Sequence, residues 1–210
     1  MNTLSDNIVI IDYKMGNLRS VQKAFEVSGC NAVISNKHNV IKDADKIVLP
    51  GVGSFQDGMK NLFNLDLIDV LNQEVLQNKK PFLGICLGMH LVARKGYENG
   101  ETRGLSWVDA EVIKLDFEKS TKGIKVPHVG WNSAEYSNYN NLFEGVNNES
   151  DFYFVHSYHF KTNEQIVTST TNHGKEFVSS IQKDNIYAFQ FHPEKSQATG
   201  LKIIKNFIQC

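Results

Sequence analysis

The residues best suited to chemistry fall in two short segments far apart in the chain, Gly84-Ile85-Cys86-Leu87-Gly88 and Phe191-His192-Pro193-Glu194. A thiol flanked at two positions by glycine, with an apolar run Phe82 to Ile85 before it and a helical pattern from about Gly88 to Lys95 after it, has the form of a nucleophile elbow. So sharp a strand-to-helix turn leaves no room for side chains beside the nucleophile, whose own backbone is expected to be strained. The start of a helix favours thiolate over thiol, and the backbone N–H of Leu87 would point into the site, where it could stabilise an oxyanion. The ordinary role of a lone cysteine is that of a small buried apolar residue, and the pentapeptide alone does not choose between the two. In the second segment His192 and Glu194 follow an apolar strand, and side chains two apart on extended chain share a face. Pro193 is expected to keep the connection extended, so that Glu194 orients the imidazole while His192 exchanges a proton with Cys86. Most isolated His-x-Glu pairs are a surface histidine beside a solvated carboxylate. The proline and aromatic flanks weigh against that here.

These groups need a scaffold that brings the segments together. Ile8 to Ile11 is a short apolar run, followed by a helical pattern with Leu18, Val21, Ala24, Phe25 and Val27 on one face and Gly29 as its end. Ala32 to Ile34 and Ile47 to Leu49 read as strands, the latter running into Pro50 to Gly53; a helix including Ile68 to Gln77 follows, then the buried strand Phe82 to Ile85. Strands alternating with helices predict right-handed crossovers and a parallel sheet. The second half reads differently, with strand candidates Ala110 to Leu115, Asp151 to Val155, Ile166 to Thr170, Phe177 to Ile181 and Ile186 to Phe189 separated by polar turns, which predicts antiparallel hairpins. Ala198 to Ile208 reads as a closing helix with Leu201, Ile204, Lys205 and Ile208 on one face. The expected fold is therefore α/β: a central, mostly parallel sheet flanked by helices, with antiparallel strands in the C-terminal half.

With 210 residues, 41% of them hydrophobic, the chain is long enough for one sizeable core, and a single domain over 1–210 is expected. A formal net charge of -1, with acidic and basic residues mixed, offers no footprint for nucleic acid or an anionic membrane surface. Met1 to Asn7 are polar and precede a short strand, so no secretory signal is read there, and no segment is long enough to span a bilayer. Cys30, Cys86 and Cys210 are odd in number and widely spaced, against a disulfide framework or a CxxC metal site; a reducing cytoplasm is the expected location. His156 and His159 are the nearest approach to a metal pair, but an odd separation on a strand would place them on opposite faces, so no metal and no cofactor is expected.

Taken together, the cysteine elbow and the distant His-Pro-Glu resemble the class I glutamine amidotransferases, a family with a flavodoxin-like fold and a Cys-His-Glu triad. Within it, further blocks are similar to the glutaminase subunits of imidazole glycerol phosphate synthases: Asp12, Tyr13, Gly16 and Asn17; Pro50 to Gly53; Pro127, His128, Gly130, Trp131 and Asn132; Tyr153 to Tyr158; and Phe189 to Ser196. The resemblance implies Cys86 as nucleophile, His192 as base and Glu194 as its orienting acid. It implies an oxyanion hole from Leu87 on one side and Gly51, Val52 and Gly53 on the other. It also implies contacts to glutamine from His156, Ser157 and Tyr158, largely through backbone. One departure stands out: the family usually has glutamine where this chain has His90, a substrate-holding position, and a histidine there is expected to titrate near neutral pH. The implied substrate is glutamine. The implied partner is a (β/α)₈ synthase, forming a heterodimer that receives ammonia internally and makes imidazole glycerol phosphate in histidine biosynthesis. Three alternatives stay open at this level: a paralogue feeding a different synthase, such as one aminating a surface sugar; a free γ-glutamyl hydrolase; and a non-catalytic binding or scaffold subunit.

Overall fold

A computed structural model of the chain describes residues 7–116, 124–136 and 141–210. Most of the polar opening segment, Met1 to Asp6, lies outside the described residues. In chain order the first half contains β1 (Ile8–Ile11), α1 (Leu18–Val27), β2 (Ala32–Ser35), α2 (His38–Asp43), β3 (Lys46–Gly51), α3 (Phe55–Asn64), α4 (Leu67–Leu71), β4 (Phe82–Cys86) and α5 (Leu87–Leu91). There follow β5 (Ala93–Gly96), β6 (Thr102–Arg103), β7 (Val108–Lys114), β8 (His128–Tyr136), β9 (Ser150–His156), β10 (Tyr158–Thr162), β11 (Val167–Asn172), β12 (Glu176–Lys183), β13 (Ile186–Phe189) and α6 (Gln197–Ile208).

The strands join in one 13-stranded sheet whose main path runs β2-β1-β3-β4-β13-β12-β10-β7-β5-β6, with β11, β8 and β9 branching from β12. From β2 to β13 every pairing is parallel. Both faces of this block are covered, as a parallel sheet requires: Val9 and Ile11 of β1 pack into one core with Leu49, Leu87 and Phe82, while Ile8 and Ile10 pack into the other with Phe25, Ile203 and Phe207. The strand order reverses between β1 and β3, and ligand sites of such folds lie at the C-terminal strand ends near that point. The α1 and α3 helices begin where side chains cap them, Asn17 Oδ1 accepting from Ser20 N and Ser54 Oγ from Asp57 N.

β13 belongs to the half of the chain read as antiparallel, and it does form an antiparallel pair with β12, but its other edge lies parallel to β4. This insertion brings the two chemical segments together. Other readings need correction. The helix expected over Gly88 to Lys95 is only Leu87–Leu91, because Ala93–Gly96 is drawn into the sheet, pairing with β7 and β6. The span Ile68 to Gln77 divides into α4 and a π-helical turn, Asn72–Gln77. Val27 ends α1 exposed, and on α6 the buried face is Gly200, Ile203, Ile204 and Phe207, with Lys205 in solvent. Helices α2 and α3 and strands β6, β8 and β10 were not read from the sequence; α2 and β6 are short, whereas α3 does carry a helical period, burying Phe55, Gly58, Met59 and Leu62. Among the described residues no helix is long and apolar enough to cross a membrane.

Candidate active site

Cys86 is the last residue of β4 and the N-cap of α5, with φ 52° and ψ -105°, a conformation that L side chains rarely adopt. The glycines around it have no alternative. A Cβ on Gly88 would collide with the carbonyl oxygen of Leu49, and one on Gly84 would come within 2.9 Å of the Gly88 backbone. Gly51 stands beside Cys86 in the β3/β4 ladder, and a Cβ there would strike the Tyr13 hydroxyl. Tyr13 is fully buried, its Oη has no hydrogen-bond partner among the described residues, and burial, with Cys86 adding to it, holds its pKa well above that of a free phenol.

His192 reaches Cys86 through strand register. Phe189 is opposite Ile85, so the residues leaving β13 pass beside the elbow. The His192 backbone is fixed at both ends: its N–H donates to Tyr153 O at 2.9 Å, and its carbonyl accepts from Ser196 Oγ at 2.6 Å. Nδ1 bonds Glu194 Oε1 at 2.7 Å. The connection is not extended, as read from the sequence: Pro193–Lys195 forms a 3-10 turn, in which the carboxylate curls back under the ring. The opposite nitrogen, Nε2, is buried with no nitrogen or oxygen partner among the described residues and interacts with the Cys86 sulfur. Burial works against the imidazolium, but the charge of the Cys86 sulfur and then the Glu194 carboxylate outweigh it, so the His192 pKa is raised.

Beside the sulfur lies a pocket of about 510 Å³ whose walls include Val52, Gly53, Cys86, Leu87, His90, His156, Ser157 and Tyr158. Two larger hollows, one of 620 Å³ along β2 and one of 720 Å³ beside Phe63, contain no cysteine or histidine. A buried nucleophile between an imidazole and an open pocket suits attack on a small carbonyl compound.

Residues 9–210 match the family model described as glutamine amidotransferase class-I. The chain belongs to that family. Among curated relatives, imidazole glycerol phosphate synthase subunit HisH 1 of Campylobacter jejuni subsp. jejuni serotype O:23/36 (strain 81-176) is 50% identical over 200 residues, covering 95% of this chain and 98% of its own. Subunit HisH of Aquifex aeolicus (strain VF5) is 50% identical over 202 residues, covering 95% and 94%. A crystal structure of a glutamine amidotransferase shares the fold with TM-score 0.73 at 16% identity, covering 96% of this chain and 99% of its own. A second glutamine amidotransferase, from Thermotoga maritima, gives TM-score 0.63 at 17% identity, covering 90% and 76%.

For this class-I amidotransferase the pocket gathers Val52, Gly53, Cys86, Leu87, His90, His156, Ser157 and Tyr158. Gly51 adjoins Cys86 in the ladder, and His192 and Glu194 are buried behind the wall. The expectation for His90 is corrected: its ring is buried, desolvation pushes its pKa down to about 4, and it is neutral at neutral pH. The face argument for His156 and His159 also fails, because Ser157 interrupts the strand and both rings approach Phe177, at 4.9 and 6.3 Å between centroids. Around His156 the structure adds a feature the sequence did not disclose. His156 Nε2 lies 3.0 Å from His128 Nδ1, and His128 stacks on His173 at 3.9 Å. No group of three or more His, Cys, Asp or Glu residues arranged to hold a metal occurs among the described residues. Tyr13, Glu98, Lys195 and Gln190 also adjoin the site or line its pocket and were assigned no role from sequence. Only the fold brings them there.

Proposed function

We propose that the chain is the glutamine-hydrolysing subunit of an imidazole glycerol phosphate synthase, a single domain over its whole length, working in the cytoplasm, where a nucleophilic thiol stays reduced. The observation that carries this reading is the strained Cys86 elbow beside an imidazole bonded to Glu194 at 2.7 Å, in a chain 50% identical to subunits of that name. The Cys86 thiolate attacks the carboxamide carbon of glutamine. The oxyanion is held by backbone N–H groups of Leu87 and of the segment Gly51, Val52 and Gly53. His192, its Nδ1 held by Glu194 and its other nitrogen on the Cys86 side, protonates the departing ammonia and then draws a proton from the water that cleaves the thioester, releasing glutamate. His90, His156, Ser157 and Tyr158 form the wall that receives the amino-acid end of glutamine.

Ammonia released into bulk water is protonated and lost, so the mouth of the pocket should be covered by the enzyme that consumes it. Support comes from β8. Val129 and Trp131, which share a face of that strand, are 56% and 47% exposed, and Pro127, just before it, lines the pocket. Apolar groups exposed around a pocket mouth suit a docked partner. We assign that role to a (β/α)₈ synthase subunit in a heterodimer. Neither a sugar-aminating paralogue nor a free γ-glutamyl hydrolase draws support from the curated relatives. The test is glutamine turnover of the chain alone and in the presence of both the acceptor and the candidate barrel enzyme. Turnover should rise by about 10²-fold or more in the complex, the worth of one oxyanion donor. Equal turnover in both would favour the free hydrolase.

A further inference from the structure

Cys86 has a polar neighbour that the mechanism above does not use. Phe189 stands opposite Ile85 in the parallel ladder, so the next residues of the two strands, Gln190 and Cys86, come side by side. Gln190 Nε2 donates to Cys86 Sγ at 3.9 Å, and Gln190 Oε1 lies 2.7 Å from His90 Nε2. Both side chains are buried, Gln190 completely. A carboxamide oxygen only accepts and a neutral imidazole carries a single N–H, so this short contact places the His90 proton on Nε2. The reverse amide orientation would aim Oε1 at the sulfur, setting two acceptors face to face once the thiol ionises. The thiol proton has an acceptor of its own, the Val155 carbonyl oxygen at 3.9 Å, which leaves the sulfur lone pairs for the amide. The other titratable groups that act on this sulfur are His192 and the buried phenol of Tyr13.

We propose that Gln190 is a further catalytic residue, whose amide N–H donates to the Cys86 sulfur and favours the thiolate, and that His90 is the positioning residue that holds the amide in that orientation. This rests on the reading of Cys86 as nucleophile. A hydrogen bond to an anion in a buried site is stronger than one to a neutral acceptor, so the amide does more for the thiolate than for the thiol. Neutrality of His90 is part of the device. Its fixed Nε2–H is what turns the amide.

The test follows alkylation of Cys86 by iodoacetamide in the full chain, read on the Cys86 peptide by mass spectrometry, across pH. Gln190→Met, close in shape but without a donor, should slow alkylation at neutral pH by about tenfold or more, the usual worth of a hydrogen bond to a charged group, and the deficit should vanish at high pH. Turnover of glutamine should fall mainly in kcat. His90→Leu should slow alkylation in the same direction, and His90→Gln, whose amide can donate to Gln190 Oε1, should recover most of the rate. A folded Gln190→Met with the parent rate, or with the same deficit at every pH, would overturn the proposal. Should Gln190→Met fail to fold, equal rates in His90→Leu and His90→Gln would overturn it instead. Failure of the underlying reading would show separately: a parent protein fully alkylated at Cys86 that still hydrolyses glutamine has another nucleophile, whatever Gln190 does.

Discussion

Two histidines stand near one sulfur, are both buried, and have their pKa values pushed in opposite directions. His192 meets the Cys86 sulfur and the Glu194 carboxylate, and its pKa is raised despite burial. His90 meets the Gln190 amide, a neutral group, and burial drives its pKa down to about 4. The wall beyond continues that pattern. In His156 and His128 burial again lowers the pKa, and their hydrogen-bond partners are all neutral: a backbone carbonyl, the Asn132 amide and each other. Burial by itself always favours the neutral ring. The partner decides whether that preference is overturned, and only on the nucleophile side is the partner an anion.

The sharpest way to break this contrast is Cys86→Ala. Glutamine turnover should fall by about 10⁴-fold or more, as the loss of a nucleophile does in comparable triads, while thermal stability and partner binding change little. The same variant removes the largest influence raising the His192 pKa, so an NMR titration of that ring should move downward toward the ordinary histidine value. Parent-level turnover would remove Cys86 from the mechanism, and an unmoved titration would show that Glu194 alone sets the charge.

The next effect concerns the elbow's backbone. Gly88→Ala would drive a methyl group into the Leu49 carbonyl, backbone that cannot swing aside. Urea denaturation should show a loss of about 3 kcal/mol, the upper range of overpacking costs, if the variant folds at all. Parent-like stability would mean that the turn has slack and that the strain at Cys86 is not imposed by its neighbours.

The most gradual effect, spread over pH rather than placed at one substitution, is the acid response of the wall. A histidine whose folded pKa lies below its unfolded value of 6.5 contributes its full share above that value, because the unfolded chain takes up the proton first as pH falls. Stability should therefore decline from pH 6.5 toward about 4, by on the order of 1 kcal/mol per pH unit for a ring such as His90. His192, with its pKa raised, runs the other way. Its share is full below the unfolded value and is lost as pH rises through the folded one. Urea melts at several pH values on the parent and on His90→Gln check this. The variant should show a shallower acid slope, and an unchanged slope would place the response in the other wall histidines.

Much of this was legible from the chain because it depends on local chemistry. The glycines at 84 and 88 announce a turn where side chains cannot fit, whatever surrounds it, and the alternating apolar runs up to Cys86 announce a buried parallel sheet. The proximity of Glu194 to His192 is likewise local, although the turn that achieves it is 3-10 and not extended. What the chain could not disclose is register. Nothing in the run Ile186 to Phe189 says that it lies parallel to β4 with Phe189 opposite Ile85, yet that pairing sets Gln190 against the sulfur and aims His192 at it. Nor does His90 reveal its charge state: an exposed imidazole would titrate near neutral pH, and here burial lowers the pKa against the opposing Gln190 hydrogen bond, while that bond fixes which nitrogen carries the proton. Residue types determine which groups are available for chemistry. Strand pairing and desolvation, which depend on residues distant in sequence, determine which of them meet and which proton each one keeps.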